Sequence, residues 1–198
     1  MADDRRIEYR FLHWGPFVCT YSLSNKEITK LKKLKSKEDY KSSLAGHLDY
    51  QKVLDKTKVF KFLLPYLNSY VQAYYEHRGI PLANGFELES CWINRQKKNE
   101  FNPPHTHDGD LSFVIYTEIP EGLEKECQTS VSKSPGPGCI TFDFNITSPS
   151  NKLFLQSHAY LPSVGDMFIF PAGLPHWVFP FKKTEGERVS ISGNIKLK

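Results

Sequence analysis

Two histidines stand two positions apart in a short polar segment, and this spacing is suited to metal binding. His105 and His107 lie in the segment 103–110, which also contains Asp108 and Asp110. Neutral imidazoles and carboxylates are ligands for divalent first-row metals. In an extended chain, side chains at positions i and i+2 point to the same face, so the two imidazoles can hold one ion together.

A third ligand must come from elsewhere, and His176 has comparable surroundings. The segment 165–180 predicts an apolar strand, then a turn containing proline and glycine that delivers His176 to the start of the next strand. Two distant strand ends that present His105, His107 and His176 would build a metal centre in the mouth of a β-barrel. We therefore expect these three histidines to be the metal ligands and the catalytic centre.

The last predicted strand carries polar residues on one face. Arg188, Ser190, Ser192 and Asn194 alternate along it, so their side chains lie on the same side. Such a face either meets water or lines a pocket. In a pocket, Arg188 could hold a carboxylate through two parallel hydrogen bonds, Ser190 could add a hydroxyl donor, and Tyr116 could supply a phenol.

The pattern along the chain changes from helical to strand-like near residue 85. The first 80 residues read as mainly helical: Ser24 and Glu27 form a capping-box pattern before a lysine-rich helix, and Lys58–Arg78 carries apolar residues at helical spacing. The predicted strands are Phe86–Arg95, Leu111–Ile119, Cys139–Phe144, Lys152–Tyr160, Asp166–Phe170, His176–Phe181 and Arg188–Leu197. This order predicts one domain over residues 1–198, mainly β with supporting α: an antiparallel barrel or jelly roll (about 85–198) braced by helices (about 22–80).

Composition excludes several classes of protein. The chain of 198 residues is 39% hydrophobic and 24% charged, which excludes disorder, and no apolar run approaches the roughly 20 residues of a membrane span. The N-terminal residues lack the apolar core of a signal peptide, which predicts a cytoplasmic protein, in the host cytoplasm if it is viral.

The four cysteines have no metal-binding spacing and predict free thiols. The net charge of +4 comes largely from the lysines of 26–41, which we interpret as a solvated helix face rather than a nucleic-acid site.

At these residues the sequence resembles the Fe(II)- and 2-oxoglutarate-dependent oxygenases, and in particular a group common in bacteria and tailed phages. The likeness covers most of the chain and is carried by 92–94, 102–107, 111–116, 165–171, 175–176 and 187–194. The resemblance implies a double-stranded β-helix (a jelly roll, or cupin-like barrel) that binds Fe(II), with 2-oxoglutarate and O2 as co-substrates. It implies oxidative decarboxylation of 2-oxoglutarate to succinate and CO2, coupled to hydroxylation of a substrate C–H bond.

The same resemblance implies roles for individual residues. His105 takes the first ligand position and His176 the distal one, while Arg188 and Ser190 receive the far carboxylate of 2-oxoglutarate with help from Tyr116. Most of the superfamily has a carboxylate two residues after the first histidine, where this chain has His107. Either His107 is a ligand, or Asp108 or Asp110 replaces it, or His107 only neighbours the ligands. Its shared face with His105 favours His107.

Three functions remain open at the level of sequence. A hydroxylase of this superfamily would act on a peptide, for example on prolyl side chains, or on a small molecule. A cupin-like dioxygenase or isomerase would keep the three histidines and work without 2-oxoglutarate, which would give Arg188 no ligand. A β-barrel binding module without catalysis would bind a partner through its lysine-rich helix and need no metal.

Overall fold

The computed structural model describes residues 15–131, 136–144 and 157–198 of the chain, and these residues form two antiparallel sheets and three α-helices. The helices are α1 (Asn25–Lys32), α2 (Lys56–Arg78) and α3 (Leu123–Gln128). The strands are β1 (Cys19–Ser22), β2 (Ser36–Asp39), β3 (Tyr50–Leu54), β4 (Phe86–Gln96), β5 (Asn102–His105), β6 (Leu111–Glu118), β7 (Ile140–Asp143), β8 (Ser157–Tyr160), β9 (Asp166–Pro171), β10 (His176–Val178) and β11 (Arg188–Leu197).

Both long helical predictions are confirmed, with corrected boundaries. The capping box of α1 forms as expected: the Glu27 N–H donates to Ser24 Oγ, and the Ser24 N–H donates to Glu27 Oε2 at 2.9 Å. Asp55 caps the start of α2, and Gly79 ends it in the left-handed conformation with φ 69°. Pro65 lies inside α2, so the helix lacks one N–H donor there.

The mainly helical interpretation of the first 80 residues is wrong in part. Three short strands, β1, β2 and β3, lie in this region and extend the larger sheet on both sides. Their pairing is with distant partners, since Cys19 aligns with Ile169 and Tyr50 with Arg95. Segments of four or five residues give a weak alternation signal, and only the distant strands that they join determine their structure.

Seven strands make up the large sheet and four the small one. The large sheet has the order β1-β9-β6-β11-β4-β3-β2, and the small sheet has the order β5-β10-β7-β8. Every predicted strand corresponds to an observed one, although residues 152–156 of the predicted strand Lys152–Tyr160 lie outside the described residues. The long strand β11 lies between β4 and β6, which places its polar residues in the middle of the large sheet.

The large sheet separates two hydrophobic cores, one on its outer face and one on its inner face. The outer face packs on α1 and α2 through residues such as Leu63, Leu67 and Ile191. The inner face meets the small sheet through Phe142, Phe168 and other apolar residues. The protein is therefore mainly β with supporting helices, as predicted, and has the two-sheet jelly-roll form rather than a closed barrel. Among the described helices, none combines the length and hydropathy that a membrane span requires.

Candidate metal and 2-oxoglutarate site

Three histidines converge where β5 ends and β10 begins. His105 and His176 are paired in register between these two strands. His107 lies two residues beyond β5, where its N–H donates to the carbonyl of Ala172 at 2.9 Å. One ligand nitrogen from each of the three rings lies within 4.8 Å of the others. The structure thus brings together all three histidines that the sequence predicted as metal ligands.

Backbone carbonyls orient two of these rings in the same way. His105 Nδ1 lies 2.7 Å from the carbonyl oxygen of Pro103, and His176 Nδ1 lies 2.9 Å from that of Leu174. A carbonyl oxygen only accepts hydrogen bonds, so each Nδ1 carries the proton and each Nε2 keeps its lone pair. Metal-binding histidines are commonly oriented by this type of hydrogen bond.

Burial keeps the three imidazoles neutral. Desolvation lowers the pKa of His105 below its ordinary value. Desolvation and then the neighbouring His105 lower the pKa of His107 to about 4, and the same two causes, with burial again the larger, lower that of His176 to about 3. A neutral imidazole is the form that binds a metal, so the cluster is ready to coordinate at neutral pH.

Neither candidate aspartate joins the cluster. Asp108 is exposed, and the group of ligand atoms contains the three histidines without a carboxylate from the described residues. Asp110 accepts a hydrogen bond from the N–H of Leu197 at 2.8 Å and lies 3.8 Å from Lys196 Nζ. Of the alternatives for the middle position, the geometry therefore favours His107.

Arg188 lies in the same cavity, buried and without a carboxylate partner among the described residues. Its side chain is only 3% exposed. Nη1 donates to the carbonyl of Gly138 at 2.6 Å, the guanidinium carbon lies 5.4 Å from the centre of the Tyr116 ring, and Nε has no hydrogen-bond partner in the described part of the chain. Burial lowers the pKa of this guanidinium. Burying a guanidinium in this state is unfavourable, and an anion in the cavity would compensate its charge.

Four polar residues form a row across the inner face of the large sheet. In register, Gln51 of β3 faces Asn94 of β4, Asn94 faces Ser190 of β11, and Ser190 faces Tyr116 of β6. Gln51 Nε2 donates to Asn94 Oδ1 at 2.9 Å, and Asn94 Nδ2 donates to Ser190 Oγ at 3.3 Å. Burial raises the pKa of Tyr116 to about 12, so its phenol remains a neutral donor.

The histidines and the polar row line one cavity, which opens into a groove. The cavity has a volume of about 50 Å³, and Trp92, His105 and His107 line both the cavity and the groove. Tyr40 lines the groove, and the Trp92 ring lies 5.9 Å from the Tyr40 ring and 5.8 Å from the His107 ring. The groove therefore leads from the surface to the histidine cluster.

The structure adds one aromatic and two polar residues to the site. Trp92 lines the cavity and the groove, whereas Trp177 and Tyr160 line neither. Gln51 and Asn94 line the cavity without having been assigned a role. Asn94 lies within 92–94, one of the segments that carry the family resemblance, and this could have pointed to it. Nothing in the sequence pointed to Gln51, because its strand was not predicted.

Comparison with known proteins places these residues in a family. A family model described as "Putative 2OG-Fe(II) oxygenase" matches residues 90–194, which is more than half of the chain. This range contains the three histidines, Tyr116, Arg188 and Ser190.

Solved structures of similar fold include several oxygenases. A prolyl-4-hydroxylase of Pseudomonas putida is 15% identical, with 92% of this chain and 94% of that chain covered and a TM-score of 0.55. A viral collagen prolyl hydroxylase of Paramecium Bursaria Chlorella virus-1, in its 2-oxoglutarate complex, is 16% identical, with 92% and 97% covered and a TM-score of 0.55. HygX of Streptomyces hygroscopicus, with nickel and 2-oxoglutarate bound, is 12% identical, with 93% and 83% covered and a TM-score of 0.53. Identities this low establish the fold alone.

A curated relative matches a shorter region. The germin-like protein 2-2 of Oryza sativa subsp. japonica is 37% identical over 81 residues, which is 41% of this chain. The match spans 26% of that protein, so the chain covers about a quarter of its length. The family model covers more of the chain and includes the whole histidine and arginine site. By that match, the chain belongs to the family of 2OG-Fe(II) oxygenases, whose cofactors are Fe(II) and 2-oxoglutarate.

Proposed function

We propose that the protein is an Fe(II)- and 2-oxoglutarate-dependent dioxygenase that hydroxylates a C–H bond of its substrate and releases succinate and CO2. His105, His107 and His176 hold the iron, and Arg188 holds the far carboxylate of 2-oxoglutarate, with Ser190 and Tyr116 as neutral donors. The observation that carries the proposal is the position of Arg188: a buried guanidinium without a carboxylate partner among the described residues, in the same cavity as three converging imidazoles.

The donor set fits a divalent iron ion. Imidazole nitrogens suit Fe(II), and three protein ligands leave other coordination positions for co-substrate and O2. When bound, the iron and 2-oxoglutarate together supply the activation of O2. The part of the protein is to present three neutral imidazoles, two of them held by the carbonyls of Pro103 and Leu174, and to limit the access of water to the cavity.

The surroundings of Arg188 favour 2-oxoglutarate as the co-substrate. Burying a guanidinium is unfavourable unless an anion compensates its charge. Among the described residues, Arg188 contacts a carbonyl and an aromatic ring but no carboxylate. A dicarboxylate that chelates a metal at one end would bring its other carboxylate to this cation. The same observation favours this function over a cupin-like reaction without 2-oxoglutarate, which leaves Arg188 with no ligand.

For the primary substrate we propose a peptide side chain, with prolyl residues as the first candidates and a small molecule as the alternative. Solved structures of similar fold include a prolyl hydroxylase in complex with a peptide of hypoxia inducible factor, and HygX with hygromycin B bound. The groove past Tyr40 and Trp92 is the route by which either substrate would reach the iron. Nucleic acid is not a proposed partner, because the lysines of 26–41 are interpreted as a solvated surface.

The test is turnover of 2-oxoglutarate. Purified protein loaded with Fe(II) should convert 2-oxoglutarate to succinate in an O2-dependent way, and mass spectrometry of candidate proline-containing peptides should find one added oxygen atom. The His176→Ala variant, purified and treated with Fe(II) in the same way, serves as the control and should be inactive. Failure of an iron-loaded protein to bind or consume 2-oxoglutarate would reject the proposed function in favour of a cupin-like reaction.

A further inference from the structure

The polar row on the large sheet contains a chain of hydrogen bonds that ends at a proposed 2-oxoglutarate ligand. Gln51 Nε2 donates to Asn94 Oδ1 at 2.9 Å, and Asn94 Nδ2 donates to Ser190 Oγ at 3.3 Å and to Ser192 Oγ at 3.4 Å. Gln51 is 2% exposed, Asn94 is 6% and Ser190 is 5%. Because water has little access to these groups, their hydrogen bonds to each other decide their orientations.

This chain has a direction, because each amide donates from one end and accepts at the other. Ser190 Oγ accepts from Asn94, which leaves the hydrogen of the Ser190 hydroxyl free to be donated elsewhere. Ser190 lines the cavity that also contains Arg188. In this direction, Ser190 is prepared to donate to an anion bound by Arg188.

The opposite direction would have the opposite effect on Ser190. If both amides turned over, Asn94 would donate to Gln51 and accept from Ser190, and the serine would then offer only lone pairs to the cavity. Lone pairs repel a carboxylate. The amide orientation of Gln51 therefore decides whether Ser190 binds or repels the anion, although Gln51 lies two strands away from Ser190.

A second feature of Gln51 is its unpaired amide oxygen. Its Oε1 is buried and has no hydrogen-bond partner among the described residues, although the residue lines the cavity. The backbone also leaves room for its amide: a Cβ on Gly46 would lie 3.0 Å from Gln51 Nε2. An apolar residue at position 51 would remove this unpaired oxygen, but it would also remove the donor to Asn94.

We propose that Gln51 and Asn94 are positioning residues that fix the Ser190 hydroxyl as a hydrogen-bond donor to the far carboxylate of 2-oxoglutarate. The proposal rests on the proposed function. Neither amide needs to touch 2-oxoglutarate, and iron binding does not depend on them. The effect of each residue on 2-oxoglutarate should pass through Ser190 alone.

The experiment is calorimetric titration of 2-oxoglutarate into Mn(II)-loaded protein, which measures binding without turnover. In Gln51→Glu, the new carboxylate can only accept, so Asn94 must turn to donate to it and Ser190 must turn to Asn94. We expect 2-oxoglutarate affinity to fall about tenfold, more than the roughly fivefold loss expected when the hydroxyl is simply removed in Ser190→Ala, because the reversed hydroxyl presents its lone pairs to the anion. Asn94→Asp, which cannot donate to Ser190, should show a similar fall and serves as the second variant if the first folds poorly.

The decisive comparison repeats both substitutions in a Ser190→Ala background. Without the hydroxyl there is nothing left to orient, so Gln51→Glu and Asn94→Asp should then change 2-oxoglutarate affinity by less than about twofold. A loss of the same size in both backgrounds would show that the introduced charge simply repels the anion, and an unchanged affinity in the native background would show that no orientation is set; either result overturns the proposal. Failure of the unsubstituted, Mn(II)-loaded protein to bind 2-oxoglutarate would instead reject the proposed function.

Discussion

The two ends of the cavity are built in different ways. At the metal end, the rings of His105 and His176 are each oriented by a carbonyl two residues earlier in the chain, so each carries its own local support. At the anion end, Arg188 donates to Gly138, 50 residues away, and Ser190 receives its hydrogen bond from Asn94, 96 residues away. The metal end depends on strand ends and turns, and the anion end depends on four neighbouring strands being in register.

This difference reflects what each kind of ligand requires from the fold. A metal ion needs a few strong ligands at a point, which a turn and two strand ends can supply. A dicarboxylate is bound well by a buried cation with neutral donors around it, and the middle of this sheet keeps such groups both dry and aligned. Substitutions at the two ends should therefore have separable effects on metal and on 2-oxoglutarate.

The largest expected effect is at the metal end. His176→Ala removes a proposed ligand that is 5% exposed, and we expect stoichiometric Fe(II) binding and activity to be lost. His158→Ala is the matched control, since His158 is exposed on β8, and it should bind metal normally. Metal content after gel filtration and thermal melting of both variants would check this. Full iron occupancy in His176→Ala would mean that the histidine cluster is not the metal site.

At the anion end, Arg188→Ala should weaken 2-oxoglutarate binding by about 3–5 kcal/mol, a few hundred-fold to several thousand-fold, because the bound carboxylate is left without its cation. Iron binding should be unchanged. Arg188→Lys should recover only part of the affinity, because an ammonium cannot form two parallel hydrogen bonds. Titration of 2-oxoglutarate into metal-loaded variants measures both effects. If Arg188→Ala weakened metal binding as much as 2-oxoglutarate binding, the two ends of the cavity would not be independent.

Arg188 also offers a test through stability. Since the buried guanidinium lacks a carboxylate partner in the described part of the chain, Arg188→Met should leave the ligand-free protein as stable as before or more stable, while 2-oxoglutarate binding is lost. Denaturant unfolding with and without 2-oxoglutarate would measure this. A large destabilisation of the ligand-free protein would indicate that Arg188 has a mainly structural role.

The next largest effect is expected at His107, the proposed middle ligand. Loss of a residue that only supports the metal ligands typically weakens metal binding by roughly 10- to 100-fold. We expect His107→Ala to weaken Fe(II) binding by more than this. Asp108→Ala should leave the affinity unchanged, since Asp108 is exposed and outside the cluster. Competition with a metal-sensitive dye would rank the two variants. The reverse ranking would assign the middle position to the carboxylate.

The histidine cluster should also make the metal-free protein sensitive to acid. The pKa is lowered to about 4 for His107 and about 3 for His176, so below about pH 6.5 the unfolded chain binds protons that the folded cluster does not. The cluster should make no contribution to this pH dependence above about pH 6.5, should lower the free energy of unfolding by several kcal/mol as the pH drops toward 3, and should have no further effect below that. Urea unfolding at several pH values would show the slope, and His176→Gln should reduce it by removing one titrating group.

The smallest effect is expected from Ser190→Ala. Its hydroxyl is a neutral donor beside Arg188, and its loss should cost 2-oxoglutarate binding about 1 kcal/mol. The titration used for Arg188→Ala gives the comparison directly. A loss as large as that of Arg188→Ala would mean that the hydroxyl, rather than the cation, dominates the anion end.

Much of the metal end could be predicted from the sequence, because its information is local. The spacing of His105 and His107, and the turn before His176, are visible in a short window, and the structure brings the three rings together. The jelly-roll class followed from the alternation of the strands after residue 85. The early strands were missed, because β1, β2 and β3 are short and are stabilised by partners far along the chain.

The sequence by itself determined which side chains alternate on β11, and therefore that Arg188 and Ser190 share a face. It did not determine what lies opposite that face, because cross-strand register is a property of the assembled sheet. Only the tertiary structure decided that Gln51, Asn94 and Tyr116 align with Ser190, that Asp110 turns away to bond the backbone of Leu197, and that Arg188 is buried without a carboxylate partner among the described residues. Burial and pairing depend on contacts between distant segments, which no local pattern encodes.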